Sequence, residues 1–479
     1  MDKSKELIHQ DEELALNVRE DIMSEHPREE CGVFGVYDPE GDVAHAAYLA
    51  LVALQHRGQE SCGIAVNRSR DIYCHKGMGL VTDVFNNRKI LDDLEGTMAV
   101  GHVLYGSSKE IKPENAQPLV VRRYIKGNIA LAYNGSLTNT KKLEEKYESE
   151  GAIYQTTSDA EIIAYTIARE RARSKSIQEA LSRSMGVLEG AYSIVLMSAQ
   201  KLMAARDMWG FRPLCMGKKG NAYMFASESC VFDSIGATYI RELLPGEVVV
   251  IENGEVTSIT DHVGKVPTSL CIFEHIYFAR PDSVLNGTMV YESRRRAGQI
   301  LANDHPVEAD VVIGVPDSGV PAAMGYAEQS GIKYADGFIK SRYIGRTFIK
   351  HGKADRELAI SMKLNPLRSN VEGKRVVMVD DSLVRGTTCT KIVNLLRKAG
   401  AKEVHVRISS PPFLWPCYYG TDIPSREHLL SYTHTIEQTK ELLGADSLGY
   451  LGLERLKDLV PGSEYEFCDA CFSGKFPVA

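Results

Sequence analysis

The sequence predicts a fold in two parts, α+β through the first half and α/β with a mainly parallel sheet through the second. Three observations carry that expectation. Over 31–262 short strand patterns alternate irregularly with a few helices. Beyond Val263 strand and helix patterns alternate more regularly. Within this second part, 374–399 sets the apolar run 376–379 before two carboxylates, a Gly/Thr loop and an amphipathic helix. At 479 residues the chain exceeds one ordinary core, so two domains are expected, 31–262 and 263–479.

Composition narrows the function classes. A hydrophobic content of 44% and a charged content of 25% describe a soluble globular protein. The net charge of −7 argues against a nucleic-acid partner, and no apolar stretch is long enough to span a bilayer, so no membrane partner is expected. The first thirty residues are charged, mostly acidic and without a secretory apolar segment. A cytoplasmic location follows, in which the ten cysteines read as nucleophile, metal ligands or core rather than disulfides.

In chain order, 1–30 carries too few apolar residues for a core and reads as a tail or surface helix. A strand then opens abruptly on Cys31, which invites the expectation that this cysteine becomes the mature N-terminus. A helix is expected over 43–55, and strands over 63–67, 98–105, 129–133, 193–198 and 247–252. Ile162, Ile163, Tyr165 and Ile167 mark a helix after Ser158, with Glu161 placed to complete a capping box. In the second half the apolar strand 310–315 ends at Pro316-Asp317-Ser318-Gly319. The helix after 388 presents Ile392, Leu395, Leu396 and Ala399, and Val404, Val406 and Ile408 alternate as a strand.

The stretch 380–388 has ligand-binding chemistry. Loop N–H groups and the positive end of a helix suit a phosphate. Asp380 and Asp381 suit ribose hydroxyls or a Mg²⁺ that keeps most of its waters. An ordinary strand–helix turn is the plainer reading. Cys468-x-x-Cys471 has metal-knuckle spacing, which redox dithiols share.

The run VVMVDDSLVRGTT closely resembles the phosphoribosyl-pyrophosphate (PRPP) loop of type I phosphoribosyltransferases. The resemblance assigns PRPP contacts to Asp380, Asp381, Ser382, Val384, Arg385, Gly386, Thr387 and Thr388, and places Ser318 with Asp380 and Asp381 near Mg²⁺. The basic run 340–356 resembles the flexible hood of these enzymes, with Arg342, Arg346 and Lys350 as phosphate contacts and Arg356 and Lys363 as further candidates.

Cys31-Gly32-Val33-Phe34-Gly35, Leu54-Gln55-His56-Arg57-Gly58-Gln59, Gly101-His102, Tyr133-Asn134-Gly135 and Thr157-Ser158-Asp159 resemble the class II, N-terminal-nucleophile glutamine amidotransferases in order and spacing. That likeness implies a four-layer αββα sandwich with Cys31 as nucleophile, Asn134 and Gly135 as oxyanion hole, and Asp159 and Arg57 at the glutamine. Cleavage after Glu30 would give Cys31 a free α-amine, of pKa about 7.7–8, to act as its own base.

Together the two halves resemble the amidophosphoribosyltransferase family, pentosyltransferases that convert glutamine, PRPP and water to 5-phosphoribosylamine, glutamate and pyrophosphate at the first committed step of purine synthesis. The neighbourhoods of Cys271, Cys417, Cys468 and Cys471 resemble its 4Fe–4S-bearing branch, although four thiolates equally suit zinc by spacing. The family also implies inhibition by purine nucleotides and a homotetramer or homodimer.

One departure stands out. Where the family has an arginine that clamps the glutamine α-carboxylate, this chain has Leu104, and Arg57, Arg122 and Arg123 are the candidate substitutes. Tyr133 stands where histidine is usual. Leu104 leaves room for an ammonia-fed phosphoribosyltransferase with an impaired glutaminase. A non-catalytic PRPP or nucleotide sensor is the other alternative, opposed by the intact Asp380-Asp381 pair.

Overall fold

The computed structural model describes residues 31–69, 71–106, 111–124, 127–341, 364–421 and 425–478. The leader 1–30 and the hood candidates Arg342, Arg346, Lys350, Arg356 and Lys363 lie outside the described residues, as does the side chain of Arg123.

The first half stacks two antiparallel sheets between helices. The seven-stranded sheet comprises β1 (Gly32–Tyr37), β2 (Ser61–Arg68), β3 (Asp71–Met78), β4 (Met98–Leu104), β9 (Cys215–Lys219), β10 (Ala222–Ala226) and β11 (Thr238–Glu242), in the spatial order β11-β9-β10-β1-β4-β2-β3. The six-stranded sheet comprises β5 (Leu119–Tyr124), β6 (Gly127–Leu137), β7 (Gly190–Ser198), β8 (Lys201–Arg206), β12 (Val248–Glu252) and β13 (Glu255–Ile259), in the order β13-β12-β8-β7-β6-β5.

Strand alternation produces the layers. In β1, Phe34 and Val36 pack with Ala47 and Leu51 of α1 (Val43–Ala53), while Val33 packs with Val195 and Leu202 of the other sheet. The outer face of the second sheet buries Leu131, Leu196 and Met203 against Ile163 and Ile167 of α2 (Asp159–Ala172) and Leu181 of α3 (Ile177–Met185). This is the four-layer αββα arrangement.

Two local expectations need correction. The expected strand 129–133 is the middle of a longer one, β6, because β7 pairs with it from Ile129 through Leu137. The capping box at Ser158 is only half made. Ser158 Oγ accepts from Ala160 N at 3.3 Å, but Glu161 reaches past the cap to Gln155 N and Thr156 N, at 3.0 and 2.7 Å.

The second half is a four-stranded parallel sheet whose strands lie side by side in chain order: β15 (Val311–Gly314), β16 (Arg375–Asp380), β17 (Glu403–Ile408) and β18 (Ser447–Tyr450). Val312, Val377 and Val379 face α5 (Val290–Asp304) and α6 (Gly319–Ser330). Val376, Met378, Val404 and Val406 face α7 (Thr387–Lys398) and Leu443 of α8 (Ile436–Leu443). On α7 the buried stripe is Cys389, Ile392, Val393 and Leu396, so Val393 takes the place expected of the half-buried Leu395.

The chain end returns to the junction of the halves. β19 (Phe467–Cys468) pairs in parallel with β14 (Leu270–Cys271), setting Cys468 opposite Cys271. Cys271 N in turn donates to Phe211 O of the first half at 3.1 Å.

Candidate active sites

A cavity of about 630 Å³ opens at the ends of β4 and β6. Cys31, Leu104, Asn134, Gly135 and Asp159 line it together with Gly420, Thr421 and Val478 from the other half. Three of the residues expected to perform glutamine chemistry and one expected to hold the substrate therefore meet in one place. Cys31 Sγ is 3.4 Å from Tyr105 O. Asn134 is 1% exposed, and neither the oxygen nor the nitrogen of its carboxamide has a hydrogen-bond partner among the described residues. A buried amide left unpaired costs about 1–3 kcal/mol, so it suits a group that meets a ligand.

Asp159, at the start of α2, accepts from Leu137 N at 2.9 Å, Thr140 Oγ1 at 2.8 Å and Tyr133 Oη at 3.2 Å. Burial holds its carboxyl above the ordinary range, and those three donors pull it back down. Asp159 is the sole charged side chain lining the cavity among the described residues. The Tyr133 hydroxyl thus helps to orient this carboxylate.

The described arginines expected near the glutamine lie outside the cavity lining. Arg57, expected at the glutamine, does not line the cavity. Its guanidinium lies behind Cys31, 1% exposed, with Nε donating to Cys31 O at 3.2 Å and the fork taken by Glu228 and Glu274. Arg122, the other described candidate for the carboxylate clamp, is exposed. Leu104 itself is 6% exposed and forms part of the cavity wall.

The wall supplied by the second half was not legible in the sequence. From the end of β17, Ser409 N donates to Asp380 O at 2.9 Å, and the chain then runs to Gly420. A side chain at Gly420, whose φ is +115°, would come within 3.3 Å of the Gly135 carbonyl carbon and 2.9 Å of Arg212 Nη2. Tyr419 Oη donates to Val478 O at 2.6 Å and pins the chain end to the same wall. One connection, 409–420, therefore reaches from Asp380 to Gly135.

The phosphoribosyl loop is compact. Asp380 and Asp381 are buried at the end of β16, with Asp381 N donating to Asp380 Oδ1 at 2.9 Å. The Ser318 and Ser382 hydroxyls both donate to Asp381, so the turn after β15 and the acidic pair meet as expected. Gly386, with φ +83°, starts α7, where a Cβ would lie 2.5 Å from Leu430. Thr387 is exposed, Arg385 and Thr388 are half-buried, and Val384 packs inward at 2% exposure. Val384 therefore offers backbone rather than side chain to a ligand.

Cys271, Cys417, Cys468 and Cys471 surround one apolar cavity with Phe211, Phe273, Tyr419 and Phe476. Burial pushes the Cys468 thiol up to about 12 and Cys471 well above its ordinary value, with the neighbouring sulfurs adding to the effect. Thiolates here need a bound cation to compensate them, and four thiols lining one apolar cavity are the donor type of a thiolate-held metal group. Tyr419 N donates to Cys417 Sγ at 3.3 Å. As the chain stands, no three metal-ligating side chains among the described residues form a ready ion-holding group. None of the ten cysteines is in a disulfide, and Cys62, Cys215, Cys230 and Cys389 are buried.

Comparison with known proteins agrees with both halves. Residues 108–234 match the glutamine amidotransferase domain family and 283–409 the phosphoribosyl transferase domain family. The chloroplastic amidophosphoribosyltransferase of Vigna aconitifolia is 49% identical over 456 residues, 95% of this chain and 92% of that one. The amidophosphoribosyltransferase of Methanocaldococcus jannaschii is 45% identical, covering 94% of this chain and 98% of its own. Glutamine PRPP amidotransferase from B. subtilis, solved with ADP and GMP, superposes with a TM-score of 0.88 at 44% identity, covering 94% of this chain and 98% of that one. With both sites in place and relatives this similar along nearly their whole length, the chain belongs to the amidophosphoribosyltransferase family.

Proposed function

We propose that this chain transfers the amide nitrogen of glutamine to C1 of PRPP, giving 5-phospho-β-D-ribosylamine, glutamate and pyrophosphate at the first committed step of purine synthesis. The observation that carries the reading is the cavity in which Cys31, the unpartnered Asn134 amide and Asp159 meet beneath a wall from the phosphoribosyl half. Residues 1–30 are read as a leader removed after Glu30, 31–262 as the amidotransferase domain and 263–479 as the phosphoribosyltransferase domain.

In this reading the Cys31 α-amine accepts the thiol proton and the sulfur attacks the glutamine carboxamide carbon. Asn134 Nδ2 and the Gly135 N–H stabilise the oxyanion, a donor of this kind being worth about 2.7–4 kcal/mol. The amine returns its proton to the leaving nitrogen, ammonia departs, and water hydrolyses the thioester to glutamate. Asp159 holds the substrate ammonium. Ammonia then displaces pyrophosphate from C1 of PRPP, held by 382–388 and the acidic pair, and the wall formed by Gly420 and Thr421 shields its passage.

Asp380, Asp381 and Ser318 would hold Mg²⁺, which when bound stabilises charge on departing pyrophosphate. Cys271, Cys417, Cys468 and Cys471 would hold a 4Fe–4S cluster that pins the chain end at the domain junction. The nucleotides bound to the B. subtilis enzyme support purine nucleotides as feedback inhibitors here, and a homo-oligomer is proposed from the same family. Ten cysteines without a disulfide among them suit a reducing compartment, the cytoplasm. No helix among the described residues is long and apolar enough to cross a membrane.

The test is Cys31→Ser assayed by pyrophosphate release with each nitrogen donor. Glutamine-dependent turnover should vanish and ammonia-dependent turnover should persist; loss of both together would refute the division of labour. Leu104 favours a second reading, in which ammonia is the main working donor. A glutamine KM far above the concentrations needed for turnover in a cell would support it.

A further inference from the structure

The nucleophile of the amidotransferase half is held from behind by a carboxylate of the other half. Arg57 donates Nε to Cys31 O at 3.2 Å. Its Nη1 donates to Glu228 at 2.7 Å and to Glu274 at 3.0 Å, and its Nη2 donates to Glu274 at 2.8 Å. Arg57 is 1% exposed and both glutamates are fully buried. Glu228 also accepts from His56 Nε2 at 2.7 Å and from Ser283 Oγ at 2.6 Å.

Glu274 lies beyond the amidotransferase sheets. It opens a single π-helical turn, Glu274–Phe278, three residues after Cys271. Arg294 of α5 holds that turn by donating to His275 O at 3.0 Å and to Tyr277 O and Ala279 O, both at 2.7 Å. The glutamate therefore sits on a rigid support.

The geometry of a guanidinium explains why this matters. Its five N–H groups lie in one plane, so a carboxylate gripping both Nη atoms fixes the orientation of the whole fork. With Glu274 and Glu228 on the Nη atoms, Nε is directed at the carbonyl of Cys31. A lone buried guanidinium would also be costly, and the two carboxylates compensate it.

We infer that Glu274 is a positioning residue for the glutaminase reaction: acting through Arg57, it fixes the backbone of Cys31 and hence the approach of the sulfur to the amide carbon. The inference rests on the reading of Cys31 as the nucleophile. It implies that the amidotransferase half needs the junction segment around Glu274 for its own chemistry, apart from any use of the ammonia it makes.

The experiment uses the full chain carrying Glu274→Gln, which keeps the side-chain shape and removes the charge. Glutamine-dependent kcat should fall at least tenfold while glutamine KM stays within about twofold. Alkylation of Cys31 by iodoacetamide, followed on its own peptide by mass spectrometry, should slow in parallel. Ammonia-dependent pyrophosphate release should stay within about twofold. Glu274→Ala should match Glu274→Gln, and Glu274→Asp should recover part of the lost kcat.

Unchanged kcat in both Gln and Ala variants overturns the inference. So does a KM rise at constant kcat, or an equal loss with ammonia, which would mark a purely structural role. Cys31→Ser is run beside them. If it is inactive with glutamine while Glu274→Gln is normal, the inference alone falls; if it retains glutamine turnover, the reading of Cys31 falls with it.

Discussion

The phosphoribosyl loop and the amidotransferase cavity differ in how much chain separates their parts. Asp380, Asp381, Ser382 and Gly386 are neighbours in sequence, joined across the sheet by Ser318 at the end of the adjacent strand. The cavity instead gathers Cys31, Asn134, Asp159, Gly420 and Val478, which lie on distant segments of both halves. A site made from one strand end and one helix start depends mainly on local backbone. A site made from distant segments depends on every contact that brings them together. Disturbance at the domain junction should therefore reach glutamine chemistry before ammonia chemistry.

The largest effect that sharpens this contrast is expected from Asn134→Ala. Because neither polar atom of Asn134 is paired among the described residues, the substitution removes no hydrogen bond from them. Glutamine-dependent kcat should fall about 10²–10³-fold, as for loss of one oxyanion donor. Ammonia-dependent turnover and Tm should hold. A Tm several degrees lower would show that the amide is structural and would weaken the assignment.

A smaller effect comes from acid. His102 is fully buried, bonded through Nε2 to Tyr133 O at 2.9 Å, and burial lowers its pKa to about 4. His275, at the junction, is lowered to about 3 for the same reason. A base whose folded pKa lies below its unfolded value of about 6.5 contributes stability above that pH and loses it on acidification. For His102 the loss between about pH 6.5 and 4 is on the order of 3 kcal/mol. Denaturant midpoints should fall across that window, and His102→Gln should flatten the fall. Equal slopes in the two proteins would remove His102 from the account.

Legibility in the sequence followed the same division. The acidic pair, its strand and the start of its helix were readable because apolar run, carboxylates, Gly and Thr fall within 376–388. Cys31, Asn134 and Asp159 were recognisable only through motifs whose spacing says nothing about proximity. The wall from Gly420 to Val478 carries no chemical signature, since its effect is steric. Arg57 shows the limit from the other side. Its motif marked it as important, but its orientation toward the Cys31 carbonyl depends on Glu228 and Glu274, 171 and 217 residues away. The Ser158 cap failed for a local reason, because Glu161 found better donors in the preceding loop.

The smallest expected effect is also the most specific to this chain. Leu104 occupies the wall of a cavity whose sole charged lining side chain, among the described residues, is the Asp159 carboxylate. Glutamine is a zwitterion, so under the proposed function Asp159 would pair its ammonium and leave its carboxylate facing leucine. An arginine at 104 would extend into a space of about 630 Å³ without displacing core, since Leu104 already borders it. A bidentate guanidinium–carboxylate contact in a partly exposed pocket is worth about 1.4 kcal/mol, a factor of ten in binding. Leu104→Arg should therefore lower glutamine KM about tenfold, leave kcat within twofold and leave ammonia kinetics unchanged. The contact would be made equally to substrate and transition state, and uniform binding changes KM rather than kcat. An unaltered KM would mean that another cation already holds the carboxylate, and a lower kcat would mean that position 104 governs how the amide meets Cys31.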